Sequence, residues 1–364
     1  MDETLRKRLV ALTAAGRAQS LDFEGVAARV ATDRFCALSS PTPEDRARYA
    51  ELMRGAIAHM DAATAQRIAA QLAPCAAAPF DSLARLIAHS PEASACVLAA
   101  APALPHDLML ERARDGDALE AVAIAGRRDI DRAIVGALVR RLEPEALQAL
   151  AANRAALLDR GALIALTQRA RLDLDLGRLL LAREEPALDR TALFLSADAA
   201  TRRQILIEAM RKSLAGRSDL ASLFDSIRIP AVAAAATGER ARFCTLIARA
   251  LRVARASIER LALDESGEPL GLMFAAMGLS ATESEKPMLA LRRDLAAALA
   301  DPVSGLRFAL QAPPRAAATI LAALIPGRPQ QGSQEYASRQ VEPGLQAARA
   351  PLAQTAPREA LNRR

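Results

Sequence analysis

The sequence predicts an all-α protein built as an α-solenoid, a stack of helical hairpins, and three observations support this fold class. Hydrophobic residues make up 52% of the 364-residue chain, whereas aromatic residues make up only 3%. The apolar mass is therefore mainly alanine and leucine, which are strong helix formers, while sheets favour β-branched and aromatic residues. The other two observations are sequence markers that repeat in step along the chain.

The first elements follow from helix-capping signals. Residues 1–40 are predicted to form an N-terminal helix and a linker. A second helix starts with Thr42 as N-cap, Pro43 at the first helical position and acidic residues in the first turn. It is predicted to run to about His59, and the next helix from Asp61 to Pro74, so that the two form a hairpin.

The first repeated marker is an aliphatic residue followed by alanine at a helix end, then a polar or proline-containing turn and another aliphatic residue. The marker recurs at a spacing of 26, 26 and 31 residues, beginning at Leu98, Ile124, Leu150 and Leu181. A regular spacing of this length indicates a repeated supersecondary unit.

The second marker is aliphatic-Asp-Arg, found at Ile130-Asp131-Arg132, Leu158-Asp159-Arg160 and Leu188-Asp189-Arg190. The aspartate is expected to cap the helix that follows it. Each unit is interrupted near its middle by an acidic turn, at residues 115–117, 143–145 and 173–175. One unit is thus a helical hairpin, which buries its apolar face only by stacking on its neighbours. These repeats are predicted over residues 41–215.

The repeat pattern fades after Gly216. Residues 216–325 are predicted to be helical, either as degenerate repeats or as a helical cap. Residues 239–261 are predicted to be helical, and a long helix is predicted near residues 286–299. Residues 326–364 are rich in proline, glutamine, glycine, serine and arginine, which predicts a disordered tail.

The repeated Leu-Ala-x-x-(Arg/Pro)…(Leu/Ile)-Asp-Arg units between about Phe80 and Met210 resemble the alphaproteobacterial family known as domain of unknown function 2336, a set of HEAT-like helical repeat proteins. The Asp-Glu-Ser-Gly-Glu-Pro-Leu turn at 264–270, which leads to Ala-Met-Gly-Leu-Ser, extends the resemblance to roughly residues 35–310. The longer third unit and Gly161 near a helix start depart from a regular repeat. The resemblance implies HEAT-like repeats and carries no activity or ligand.

No catalytic, metal or cofactor site is predicted, and the protein is expected to be non-enzymatic. The four cysteines are far apart with no C-x-x-C, and the three histidines have no i, i+4 spacing. Phosphate-binding and dinucleotide-binding glycine motifs do not occur. The acidic turn at 173–175 lacks the glycine and terminal glutamate of a calcium-binding loop.

Arg132, Arg160 and Arg190 are the candidate binding residues, because equivalent positions of stacked repeats line one edge. They could form a basic stripe for an acidic partner or a phosphate backbone. Alternatively, each pairs with a neighbouring aspartate, such as Asp131, Asp159 or Asp189, in a ladder between repeats. The second interpretation is favoured, because an aspartate accompanies every arginine.

These features favour a scaffold or regulatory protein that binds a protein partner. The alternatives are a nucleic-acid-binding HEAT-like protein, such as a DNA glycosylase, or a lyase related to bilin-attachment repeat proteins. The net charge is +6, but the tail at 326–364 contains six arginines against three glutamates and so carries half of it. A nearly neutral body argues against nucleic acid as the partner. The chain has no apolar run of membrane-spanning length and no signal peptide, so we expect a soluble cytoplasmic protein.

Overall fold

A computed structural model describes residues 23–215 and 219–325 of the chain, and every regular element in these ranges is helical. The all-α prediction is therefore confirmed. The chain divides into two compact units, Met1–Glu208 and Ala209–Arg364. Residues 1–22 of the predicted N-terminal segment and the predicted tail at 326–364 lie outside the described residues, and residues 23–36 of that segment form a helix.

Unit 1 consists of short helices joined by tight turns. They are α1 (Phe23–Cys36), α2 (Pro43–Ala56), α3 (Ala62–Leu72), α4 (Phe80–His89), α5 (Pro91–Ala100), α6 (His106–Asp115), α7 (Ala118–Ala125), α8 (Arg132–Val139), α9 (Pro144–Ala152), α10 (Arg160–Ala170) and α11 (Leu174–Leu181). A 3₁₀ helix, Arg190–Ser196, follows α11, and the division between the units falls within α12 (Ala199–Ala215).

The helices of unit 1 pack in two rows. In the first row each odd-numbered helix packs on the one two places before it, from α1 through α11, and the 3₁₀ helix Arg190–Ser196 packs on α11. In the second row α2 packs on α4, α6 on α8 and α8 on α10. Helices that are adjacent in sequence also pack together, as in α4–α5, α6–α7 and α10–α11. This is the predicted stack of hairpins.

The repeated sequence markers have separate roles in this stack. The leading aliphatic residues of the first marker pack into the core of the first row, where Leu98, Ile124 and Leu150 have no exposed surface. The aspartates of the second marker cap helices, since the side chains of Asp131 and Asp159 accept hydrogen bonds from the amides of Ile134 and Ala162. One marker therefore holds neighbouring hairpins together, and the other sets where helices begin.

Unit 2 contains α13 (Arg228–Ala236), α14 (Arg240–Leu251), α15 (Arg255–Ala262), α16 (Glu268–Ala276), α17 (Ala281–Leu291), α18 (Ala296–Ala300), α19 (Gly305–Leu310) and α20 (Pro314–Leu324), with 3₁₀ helices at Asp219–Ile227 and Arg293–Leu295. All nine residues of α16 are buried, and α15, α17, α19 and α20 pack around it. A helix that is apolar on every side belongs in a core. Unit 2 is thus arranged around a central helix and not as two rows.

The segment 239–261 is helical as predicted and forms two helices, α14 and α15, separated where Arg252 takes a left-handed conformation, with φ of 55°. The long helix predicted near 286–299 is interrupted, so that prediction was wrong. The helix expected over 286–299 breaks at Arg292, which has φ of −146° and ψ of 90°. The Arg292 side chain turns back to the carbonyl oxygens of Ala262 and Asp264. A tertiary contact therefore replaces a continuous helix there.

Candidate functional site

The three arginines singled out from the sequence occupy equivalent positions, each as the first residue of a helix in unit 1. Arg132 is 83% exposed in its side chain, and its Nε lies 3.4 Å from the Asp159 carboxylate. Arg190 lies 3.8 Å from the Glu208 carboxylate. Arg160 is exposed at the start of α10. Arg132 therefore lies against the aspartate of the next repeat, whereas Arg190 lies against a glutamate of α12 and not against an aspartate of the marker.

The ladder continues to an earlier hairpin through a histidine. His106 begins α6, and its Nε2 lies 2.9 Å from Oδ2 of Asp131, the N-cap of α8. Arg132 pairs in the same way with Asp159, the N-cap of α10. The first residue of one helix thus contacts the cap of the next helix in the same row. Each aspartate both caps its own helix and joins neighbouring hairpins.

The Ile134 amide holds the pKa of Asp131 below its usual range, and His106 contributes in the same direction. A carboxyl group with a lowered folded-state pKa stabilises the fold above its unfolded pKa of about 4 and loses that effect as pH falls through the folded value.

We therefore expect Asp131→Ala to lower the free energy of unfolding by about 1 kcal/mol at pH 7. The difference from the wild type should shrink at pH 3 in urea unfolding. Asp131→Asn is the control, because asparagine caps a helix without a charge. An Asp131→Ala deficit that is equal at both pH values would contradict the role of the ionised cap.

Four buried arginines form a feature that the sequence reasoning missed. Their side chains are at most 9% exposed, and each is paired with an acidic residue two positions later, in Arg127–Asp129, Arg141–Glu143, Arg183–Glu185 and Arg292–Asp294. Each follows a helix end and donates to backbone carbonyl oxygens about 25 to 32 residues earlier in the chain. The three in unit 1 connect one hairpin to its neighbour, and Arg292 connects the end of α17 to the end of α15.

The carbonyl oxygens that they contact belong to the ends of earlier helices. Arg127 Nη1 donates to Leu98 and Ala101 at 2.7 and 2.9 Å, at the end of α5. Arg141 Nη2 donates to Gly116 at 2.8 Å, in the turn after α6. The last carbonyl groups of a helix have no partner within it and carry partial negative charge. A guanidinium group donates hydrogen bonds to these carbonyl groups and balances their partial negative charge. We call these arginines interhelical caps, because each closes the end of a neighbouring helix.

Asn153 donates to the carbonyl groups at the end of a neighbouring helix, in a position of the first row where no arginine does so. Its Nδ2 donates to the carbonyl oxygens of Ala125 and Arg127, at 2.8 and 2.5 Å, which closes the end of α7. In the same row Arg127 closes α5, and Arg183 closes α9. The signal that could have revealed these residues was Arg-x-Asp or Arg-x-Glu directly after a helix. Two of the repeated segments contain it, at Arg127 and Arg183.

A polar pocket of about 250 Å³ lies between two hairpin turns, with His89, Ser90, Arg112, Gly116 and Glu120 among its lining residues. The Glu120 carboxylate is buried, accepts from the Ser94 hydroxyl and the Asp117 amide, and lies 3.5 Å from Arg112 Nη1. It forms a capping box with Asp117 at the start of α7. These contacts give Glu120 a structural role, so the pocket does not present it as a catalytic acid or base.

His89 also has a structural partner. Its Nε2 lies 3.1 Å from the carbonyl oxygen of Met60, and a carbonyl oxygen can only accept, so Nε2 carries the proton. His89 Nδ1 and Arg112 Nε are buried and have no hydrogen-bond partner among the described residues. Within residues 23–215 and 219–325, no group of three or more histidine, cysteine or acidic side chains is placed to hold a metal ion.

Exposed leucines lie at the turns inside consecutive hairpins. We call Leu119, Leu142, Leu172 and Leu174 the leucine row; they are 49%, 75%, 67% and 39% exposed. Leu142 and Leu172 each directly precede the N-cap of the second helix of a hairpin. Arg141 contacts Gly116 in the turn of the preceding hairpin, and Gln148 Nε2 of α9 donates to Asp173 Oδ2, at 2.9 Å, in the turn of the next hairpin. The row therefore runs along one edge of unit 1.

Charged residues flank the leucine row. Asp115, Asp117, Glu145 and Asp175 are exposed in the same turns or next to them, as are Arg114 and Arg140. The edge thus combines apolar side chains with an excess of exposed acidic groups. None of the helices in the described ranges combines the length and the apolar character that crossing a membrane requires.

Comparison with known proteins gives one match. Residues 94–224 match the sequence model of a family described as an uncharacterised protein conserved in bacteria, DUF2336. No curated protein and no solved structure matches the chain. The matched segment includes the buried arginines Arg127, Arg141 and Arg183, the helix caps Asp131 and Asp159, and the leucine row. Residues 94–224 of this chain are therefore similar to domain of unknown function 2336, a family described as uncharacterised and conserved in bacteria.

Proposed function

We propose that the chain is a non-enzymatic helical-repeat protein that binds a protein partner, as a scaffold or regulator, through the leucine row of unit 1. The observation that carries the proposal is the exposure of leucine at equivalent turns of consecutive hairpins. Contiguous exposed apolar side chains rimmed by polar groups are typical of protein interaction sites. The proposal takes the two rows of unit 1 as a short α-solenoid, a fold that commonly presents extended binding surfaces.

The chemistry of the edge specifies the kind of partner. Leu142 and Leu172 would be buried by apolar side chains of a partner segment, and each fully buried leucine contributes about 1.5–3 kcal/mol. The exposed carboxylates of Asp115, Asp117 and Glu145 favour lysine or arginine beside those apolar groups. We therefore propose a partner segment, such as an amphipathic helix, with apolar residues flanked by basic ones.

The nucleic-acid alternative receives less support. It required a basic stripe at Arg132, Arg160 and Arg190, yet Arg132 lies against Asp159 and Arg190 against Glu208. Paired charges attract a phosphate backbone less strongly than free ones.

The test compares leucine variants in affinity purification from the native cell, with and without nuclease. We expect Leu142→Glu/Leu172→Glu to reduce recovery of a stoichiometric protein partner at least about tenfold, since a loss of 1.4 kcal/mol is already tenfold. Leu157→Glu is the matched control, because Leu157 is 83% exposed but lies between hairpins, in the segment joining α9 to α10.

Circular dichroism and size exclusion should show that both variants are folded. Equal partner recovery by the wild type and the double variant would exclude the leucine row as the binding surface. Loss of every partner after nuclease treatment, with nucleic acid recovered from the untreated sample, would instead favour the nucleic-acid alternative.

A further inference from the structure

Two cysteines that are far apart in sequence come together near the N-terminal end of the described part of unit 1. Cys36 is the last residue of α1, and Cys75 lies in the turn after α3. The two thiols are half-buried, both are free, and both side chains pack against the same hydrophobic core. The helices α1 and α3 are neighbours in the first row, so the pair lies across an interface between repeats.

The backbone around the pair is well ordered by hydrogen bonds. The Cys36 thiol lies 3.7 Å from the carbonyl oxygen of Gln71, and the Gln71 side chain donates to Asp33 at 2.5 Å. The Cys75 amide donates to the carbonyl oxygen of Leu72 at 2.9 Å. The two contacts of Gln71 hold the end of α1 against the end of α3, and the Cys75–Leu72 bond fixes the turn that contains Cys75.

We propose that Cys36 and Cys75 form a reversible intramolecular disulfide, which makes this end of unit 1 a redox-modification site. The oxidant is a hydroperoxide such as hydrogen peroxide. One thiolate attacks a peroxide oxygen, the O–O bond breaks, and a sulfenic acid and water form. The second thiol attacks the sulfenic sulfur, the S–S bond forms, and the displaced hydroxide leaves as water with the thiol proton. Two thiols and one peroxide thus give one disulfide and two waters, and the sulfur atoms supply both electrons.

The surroundings determine how readily the pair reacts. Burial raises the pKa of the Cys36 thiol to about 11, and the neighbouring Cys75 adds to that effect. Because the thiolate is the nucleophile in thiol oxidation, Cys36 is a weak nucleophile at neutral pH. The pair is therefore expected to respond to sustained oxidation and to be slow compared with a low-pKa sensor cysteine.

The cross-link would fix α1 to the turn after α3 and enclose all of α2 and α3. A disulfide that closes a loop of this length restricts the unfolded chain strongly. Its effect would be confined to the stability of unit 1, because both cysteines and both helices belong to it.

The experiment uses the full chain, treated with hydrogen peroxide, quenched with catalase and alkylated under denaturing conditions without reductant. We expect two of the four thiols to be lost and a Cys36–Cys75 linked peptide to appear in the non-reduced digest. Dithiothreitol should restore all four thiols. The melting temperature of unit 1 should rise by about 5 °C or more on oxidation and return on reduction.

Cys36→Ser and Cys75→Ser should each abolish the linked peptide, whereas Cys96→Ser should retain it, since Cys96 lies on α5. The mapping of the wild-type chain does not depend on whether these variants fold. Four free thiols after treatment, a linkage that involves Cys96 or Cys244, or a sulfinic acid at one cysteine without a cross-link would overturn the proposal.

Discussion

Replacing Arg183 by methionine is expected to lower the free energy of unfolding of unit 1 by about 2–4 kcal/mol. The Arg183 guanidinium donates to the carbonyl oxygens of Asn153 and Ala156 at 2.6 and 2.7 Å, and to Ala151 at 3.3 Å. Methionine fills a similar volume but donates nothing. The end of α9 would then keep buried carbonyl groups without partners, and an unpaired buried polar group costs about 1–3 kcal/mol.

Arg178→Met is the matched control, because Arg178 belongs to the same hairpin and also pairs with an acid. Its side chain is 62% exposed and its partner, Asp175, is 71% exposed, and exposed pairs of this kind contribute less than about 1 kcal/mol. Urea unfolding followed by circular dichroism should therefore separate the two variants. An Arg183→Met midpoint equal to that of Arg178→Met would show that the carbonyl contacts do not stabilise the stack.

The helix starts of unit 1 were predictable because their signals are local. Thr42 with Asp45 forms a capping box, and Asp61 caps α3 as the sequence indicated. An N-cap needs only the side chain and the amides of the next three residues. Nothing distant in the chain is needed to recognise it.

The interhelical caps could not be found in the same way, because a buried arginine is defined by groups about 25 to 30 residues away. Arg127 and Arg128 are adjacent and chemically identical, yet Arg127 is buried against Leu98 and Ala101 while Arg128 is exposed. Only the stacking of hairpins distinguishes them. The break at Arg292 has the same origin, since its partners Ala262 and Asp264 lie in another helix and the turn after it.

The leucine row and the pair of cysteines also could not be predicted from the sequence, because both depend on how the helices pack. Leu142 and Leu150 are chemically identical, and only the structure shows that one is 75% exposed and the other buried. Cys36 and Cys75 appeared unrelated in the sequence because α2 and α3 separate them. The repeat explains their meeting, since it places each odd-numbered helix beside the one two places earlier.

Adding a single methyl group to α11 is expected to destabilise unit 1, although the change improves helix propensity. A Cβ at Gly177 would lie 2.0 Å from Oγ and 2.6 Å from Cβ of Ser196. Ser196 is buried in the 3₁₀ helix that packs on α11, and its Cβ can move only with the backbone. We expect Gly177→Ala to lower the free energy of unfolding by about 1–3 kcal/mol in urea titrations, after the propensity gain of up to about 1 kcal/mol is subtracted.

Gly136→Ala is the opposite case, because Gly136 lies within α8 and a Cβ there would meet nothing within 4 Å. Here the propensity gain is unopposed, so the free energy of unfolding should rise by about 0.5–1 kcal/mol. The two substitutions are chemically identical and both lie in helices of unit 1, so a difference in sign isolates the contact between α11 and Ser196. If Gly177→Ala were as stabilising as Gly136→Ala, α11 would not pack closely on the 3₁₀ helix, and the stack of hairpins would end before residue 190.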